Sequence, residues 1–274
     1  MYTYDDYLKT AGFIDDFSKG FCPEILIILG SGLNGLADCM EKRASIPYEM
    51  IPGFKSSSAP GHMGRLVLGE LKGKNVMAMQ GRFHAYEGFS FEEIAYPVRT
   101  AKVLGADKMI VTNACGAINK SFNVGDIVAL RDHINLTGKS PNTGKNLDEF
   151  GPRFFDMGEC YSREYISAAE EEAEKLGIKL RRGVYFYSAG PQYETPAEIR
   201  AMGILGADVC GMSTVPEVTA ARHCGIKTLG LSLVTNMAAG IEDKKLDGDE
   251  VIAEAEKAKD SFTALIKALI PRLR

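Results

Sequence analysis

Between Gly81 and Gly88 the chain packs a guanidinium, an imidazole, a phenol and a carboxylate, those of Arg82, His84, Tyr86 and Glu87. Arg82 and His84 stand two apart, so in an extended segment both side chains leave the same face and can close on one oxyanion. The apolar run Val76–Met79 leads into this stretch, and Ser90 with Glu93 three residues on opens a helix behind it. The pattern predicts a loop at the carboxyl end of a strand, where ligands sit in open α/β sheets. A polar turn making surface hydrogen bonds would use the same residues.

Other apolar runs end in similar chemistry. Ile25–Leu29 reads as a strand buried on both faces and ends in Gly30-Ser31-Gly32-Leu33-Asn34-Gly35, the letters of a dinucleotide fingerprint. That fingerprint needs a second strand ending in an acid, whereas Pro47 and Pro52 break the corresponding region, so a general anion loop with the Ser31 hydroxyl fits better than NAD or flavin binding. Lys108–Thr112 ends in Asn113-Ala114-Cys115-Gly116, small residues that let backbone amides approach a ligand. A strand over 183–188 runs into Tyr193 and Glu194, just ahead of a Thr195–Glu198 capping box, so Glu194 is not needed for capping. Asp208–Met212 leads to Ser213 beside Thr214-Val215-Pro216-Glu217, read as a second capping box; Ser213 either meets an anion or only caps. The last strand, Lys227–Val234, ends at Thr235-Asn236.

These ends are held by alternating helix and strand signals without linker or repeat, which predicts one α/β domain over residues 1–274, with a central mixed, largely parallel sheet flanked by helices. Residues 4–19 have the spacing of an amphipathic helix capping the domain. The stretch from His133 to Tyr161 is long and irregular but carries Phe154, Phe155 and Met157, an apolar cluster that wants a partner surface. A net charge of −4 over 274 residues gives no field for gripping nucleic acid. No apolar run approaches the roughly 20 residues of a membrane span. The six cysteines form no C-x-x-C pair and the four histidines no metal motif, which points to reduced thiols, no metal and a cytoplasmic location.

Taken in order, Gly30-Ser31-Gly32-Leu33, Pro60-Gly61-His62, Gly81–Gly88, Thr112-Asn113-Ala114, Ala189-Gly190-Pro191 with Glu194-Thr195, Gly211–Glu217 and Thr235-Asn236 closely resemble the trimeric purine nucleoside phosphorylases, over nearly the whole chain. The resemblance implies the phosphorylase/hydrolase-like fold and phosphate-dependent release of base from 6-oxopurine (deoxy)ribonucleosides such as inosine and guanosine, with the Tyr193 hydroxyl beside the base able to extend this to xanthosine. It implies that Ser31, His62, Arg82, His84, Asn113, the Ala114 amide and Ser213 hold phosphate, that Tyr86 and Met212 line the ribose, and that Tyr193, Glu194 and Asn236 receive the purine. Phe154 would close a neighbour's sugar pocket in a homotrimer. Asn236, Glu194 and His84 would be the catalytic groups, with phosphate as co-substrate and no cofactor. Three departures from the family stand out: no histidine stands near Gly248, Tyr193 replaces a common phenylalanine, and Cys115 and Ala117 replace the usual small residues after Asn113-Ala114. The alternatives are a methylthioadenosine phosphorylase, where an aspartate would be expected in place of Asn236, an NAD-dependent oxidoreductase, and a nucleoside-binding protein without turnover.

Overall fold

The computed structural model describes residues 1–30, 33–56, 62–243 and 245–274, the side chains at 249 and 250 excepted. Helix α1 (Tyr4–Ser18) buries Tyr7, Ala11 and Ile14, as its spacing predicts. Strand β1 (Ile25–Leu29) is buried at every position. Beyond it a 3-10 stretch over Asn34–Cys39 leads to β2 (Glu41–Pro47), which pairs antiparallel with β3 (Arg65–Leu71) at the sheet edge. Lys72 and Gly73 take the positive φ of a tight hairpin turn and return the chain as β4 (Lys74–Gln80), parallel to β1. The dinucleotide reading fails here on topology: β1 leads to no α-helix, and the next strand is an antiparallel edge rather than a parallel neighbour bearing a ribose-binding acid.

Helix α2 (Phe91–Val103) starts at Ser90, whose Oγ accepts from Glu93 N at 3.2 Å, and it packs on α1 through the stacked rings of Tyr7 and Tyr96, 4.4 Å apart. Strand β5 (Lys108–Ala117) pairs parallel with β1 and then continues past the predicted end at Thr112. It is followed by β6 (Ile127–Ile134), α3 (Arg163–Lys175), β7 (Leu180–Tyr187), α4 (Pro196–Ile204), β8 (Val209–Gly211), α5 (Val215–His223), β9 (Lys227–Met237) and α6 (Gly248–Leu269). Asn113–Ala117 and His133, expected in loops, lie on strands because a paired strand satisfies their backbone groups, β9 for Asn113–Ala117 with β8 joining at Gly116 and Ala117, and β7 for His133.

The sheet order is β2-β3-β4-β1-β5-β8-β7-β6-β9, and β9 pairs back onto β5. The sheet is therefore mixed, and its second half closes on itself as a small barrel, which the sequence pattern did not reveal. The β5–β9 register shifts between Cys115 and Gly116, opposite Val234 and Asn236, so Thr235 is the extra residue of a bulge. A bulge beside a cavity re-aims the following side chain, here that of Asn236. No helix among the described residues is long and apolar enough to cross a membrane.

Candidate active site

One pocket gathers Gly30, His62, Arg82, His84, Tyr86, Asn113, Ala114, Tyr193, Glu194, Met212, Ser213 and Asn236. Strands and turns more than a hundred residues apart in sequence thus converge, as the polar strand ends predict. Ser31 lies outside the described residues. Phe154 is 89% exposed and takes no part in the lining of its own chain's pocket.

The inner end is built around Arg82, which is 2% exposed. Its backbone N–H donates to His62 Nδ1 at 2.8 Å. Its Nη1 donates to Thr112 O at 2.6 Å and to Ser213 Oγ at 3.2 Å. Glu217 Oε1 lies 2.8 Å from its Nε, close enough for an ion pair but off the hydrogen-bond axis, and Nη2 has no hydrogen-bond partner among the described residues. This corrects the capping reading of Thr214-Val215-Pro216-Glu217: Thr214 makes no side-chain cap, and the Glu217 carboxylate turns inward instead. A buried guanidinium cannot deprotonate and needs a counter-charge, a stronger demand than a cap.

The turn before α5 is unusual in a second way. Val215 N–H donates to Ser213 O at 2.8 Å around Thr214, whose φ of +75° and ψ of −46° make a strained γ-turn at a buried, β-branched residue. Asn113 holds it, donating Nδ2 to Thr214 Oγ1 at 2.9 Å. The turn keeps Ser213 Oγ against Arg82.

His62 and His84 lie side by side, ring centroids 5.2 Å apart, yet they are held differently. His62 Nδ1 lies 2.8 Å from the Arg82 N–H and 3.2 Å from the Arg82 carbonyl; the shorter contact assigns it as acceptor and puts the proton on Nε2, and burial, helped by the His84 and Arg82 charges, pushes its pKa down to about 4. His84 Nδ1 lies 2.9 Å from Glu87 Oε2, which also accepts the His84 backbone N–H at 2.9 Å. Glu87, expected from the sequence to orient His84 or a neighbouring loop rather than to meet substrate, fixes the His84 ring with Nδ1 as donor and Nε2 remaining. Tyr86 stacks on that ring at 4.6 Å, and burial followed by the Glu87 charge pushes its hydroxyl up to about 12, so it stays a neutral donor.

The outer end is set by Glu194 and Asn236. Glu194 Oε1 is buried with no hydrogen-bond partner among the described residues, while Oε2 accepts from the Cys210 thiol at 3.7 Å. Asn236 Oδ1 accepts from Thr235 Oγ1 at 3.1 Å and its Nδ2 donates to Met237 O at 3.0 Å, which leaves a second Nδ2 hydrogen to give. Gly116 lies beneath this amide: a Cβ there would stand 3.1 Å from Asn236 Nδ2 and 3.5 Å from Cys210 Sγ. Tyr193 is 40% exposed, and its hydroxyl lies 3.8 Å from where a Cβ on Gly248 would stand. Sequence reasoning passed over Glu217, Cys210, Gly116 and Val251, which also contribute to the site or its support. Only Glu217 carried a signal, an acid near Ser213, and it fitted a cap equally well.

Chemically, the pocket offers cationic and hydroxyl donors at one end and an acceptor beside an amide donor at the other. The phosphorylase superfamily model matches residues 24–271. The chain is 50% identical over 248 residues to purine nucleoside phosphorylase 1 of Geobacillus stearothermophilus, covering 90% of each chain. It superposes with a TM-score of 0.94 on Schistosoma mansoni purine nucleoside phosphorylase in complex with inosine, at 40% identity, covering 99% of this chain and 98% of that one. The Schistosoma enzyme in complex with adenosine gives the same TM-score, identity and coverage.

Proposed function

The chain belongs to the purine nucleoside phosphorylases of the phosphorylase superfamily, and on that premise we propose how its pocket divides the phosphorolysis of purine nucleosides. Phosphate lies at the Arg82 end, taking donors from Arg82, His62 Nε2, His84, Ser213 and the Ala114 amide, with Asn113 beside it; Ser31, outside the described residues, is assigned to phosphate by the family resemblance alone. Tyr86 and Met212 line the ribose. Tyr193, Glu194 and Asn236 receive a 6-oxopurine.

In the reaction a phosphate oxygen bonds to C1′ as the C1′–N9 bond breaks, and the bonding pair passes to the purine. The sugar becomes oxocarbenium-like, so holding the anion beneath it lowers the barrier. Charge growing on the purine is met by the spare Asn236 Nδ2 hydrogen at N7 or O6. Glu194 Oε1 accepts the N1 hydrogen of a 6-oxopurine, a hydrogen that adenine lacks. The adenosine complex of the Schistosoma relative shows that its pocket admits that nucleoside, so the selectivity proposed here is one of turnover. The observation that carries the reading is the pairing of two unpartnered buried atoms in one pocket, Arg82 Nη2 toward the anion and Glu194 Oε1 toward the base.

The exposed Phe154 supports a homotrimer in which each chain's Phe154 closes the sugar pocket of the next. The six free cysteines support a cytoplasmic location. The test is release of free base from inosine, guanosine, xanthosine and adenosine, with and without phosphate. Turnover of 6-oxopurine nucleosides that requires phosphate is expected; adenosine cleaved as fast as inosine would overturn the role given to Glu194.

A further inference from the structure

The Cys210 thiol stands directly under the base end of the pocket. It is 3% exposed, lines the cavity, and lies 3.7 Å from both Glu194 Oε2 and Gly116 O. A thiol has one hydrogen, so these two acceptors compete for it, and the carboxylate is the stronger. Among the described residues Glu194 takes no other side-chain hydrogen bond. Its two oxygens are thereby made unequal: one is tied to the floor and the other is left buried and unpartnered. A Cβ at Gly116 would press on the Asn236 amide at 3.1 Å and meet Sγ at an ordinary contact distance of 3.5 Å.

We infer that Cys210 is a positioning residue for base recognition, its S–H holding Glu194 Oε2 so that Oε1 is presented to the N–H edge of a 6-oxopurine. Burial and then the Glu194 charge hold the thiol well above its ordinary pKa, so it remains a donor rather than a thiolate. Presenting a fixed acceptor lowers the ordering cost of binding a base with an N1 hydrogen and does nothing for a base without one. Cys210 therefore acts on selectivity through Glu194, without touching the nucleoside's reacting atoms. The inference rests on the role proposed above for Glu194.

The test compares Cys210→Ala, which removes the donor, with Cys210→Ser, which restores one. Cys210→Ala should raise the inosine KM by roughly three- to tenfold, the weight of one modest hydrogen bond, with kcat less affected and the adenosine KM unmoved. Cys210→Ser should return the inosine KM toward the parent value. Equal changes for inosine and adenosine, or no recovery with serine, would mean that the thiol only fills space. A second measurement needs no turnover: the infrared S–H stretch assigned through Cys210→Ala should shift in Glu194→Gln, and an unshifted band would overturn the contact. Glu194→Ala separates the two claims. If it leaves inosine preference intact, the role of Glu194 is wrong; if it abolishes the preference while Cys210→Ala does nothing, only the role of Cys210 is wrong.

Discussion

Arg82 is a charge that must be paired from within the protein, because a guanidinium 2% exposed has almost no water to lean on. Glu217 supplies the pairing, and removing it as Glu217→Ala should cost about 3–5 kcal/mol in denaturant unfolding. Added phosphate should then raise the melting temperature of this variant more than that of the parent, since an anion replaces the lost carboxylate; equal shifts would count against phosphate at Arg82. At the other end, Asn236→Ala should lower kcat by about a hundredfold, of order 3 kcal/mol, with a smaller change in KM, because its donor matters most as charge grows on the departing purine. A loss confined to KM would make Asn236 a ground-state contact. His62 sets a pH dependence of stability. The folded chain binds that proton only near pH 4, while the unfolded chain binds it near 6.5. Between those values the unfolded state holds more protons, so stability falls as pH drops through the window. Urea titrations of His62→Gln should show a shallower fall than the parent, and parallel curves would contradict this assignment.

At the scale of elements, the site depends on backbone brought unusually close. Gly30 ends β1 against β5, where a Cβ would stand 2.8 Å from Asn113 Cα and 2.9 Å from Thr112 O. Because both are main-chain atoms, no side-chain rotation relieves the clash, and Gly30→Ala should destabilise by about 1–3 kcal/mol while raising the phosphate KM. Unchanged phosphate use in a destabilised variant would separate the β1–β5 contact from the site. The γ-turn at Thr214 and the bulge at Thr235 act in the same way on either side of the pocket, one setting Ser213 against Arg82 and the other turning Asn236 toward Glu194's end.

At the scale of the molecule, the barrel formed when β9 returns to β5 brings Asn113, Asn236 and the β8 end with Cys210 around one cavity. Phe154 stands outside it, and a proposed neighbour makes a two-chain test possible. Mixing Phe154→Ala chains with Asn236→Ala chains during refolding should restore part of the activity, because some mixed trimers pair an intact pocket with an intact phenylalanine. Activity no greater than the sum of the separate variants would rule out the shared site.

The sequence by itself determined which apolar runs become strands β1, β5 and β9, the helix starts at Ser90 and Thr195, and nearly every polar residue of the pocket. Those signals are local: an apolar run, a cap or a glycine pair is written in adjacent residues. It did not determine that β5 and β9 run on past their predicted ends, that the sheet closes on itself, or that Glu217 faces Arg82 instead of capping its helix. Each of these depends on what lies across the fold. A strand continues where another strand satisfies its backbone, and an acid turns inward where a buried cation more than a hundred residues away requires it.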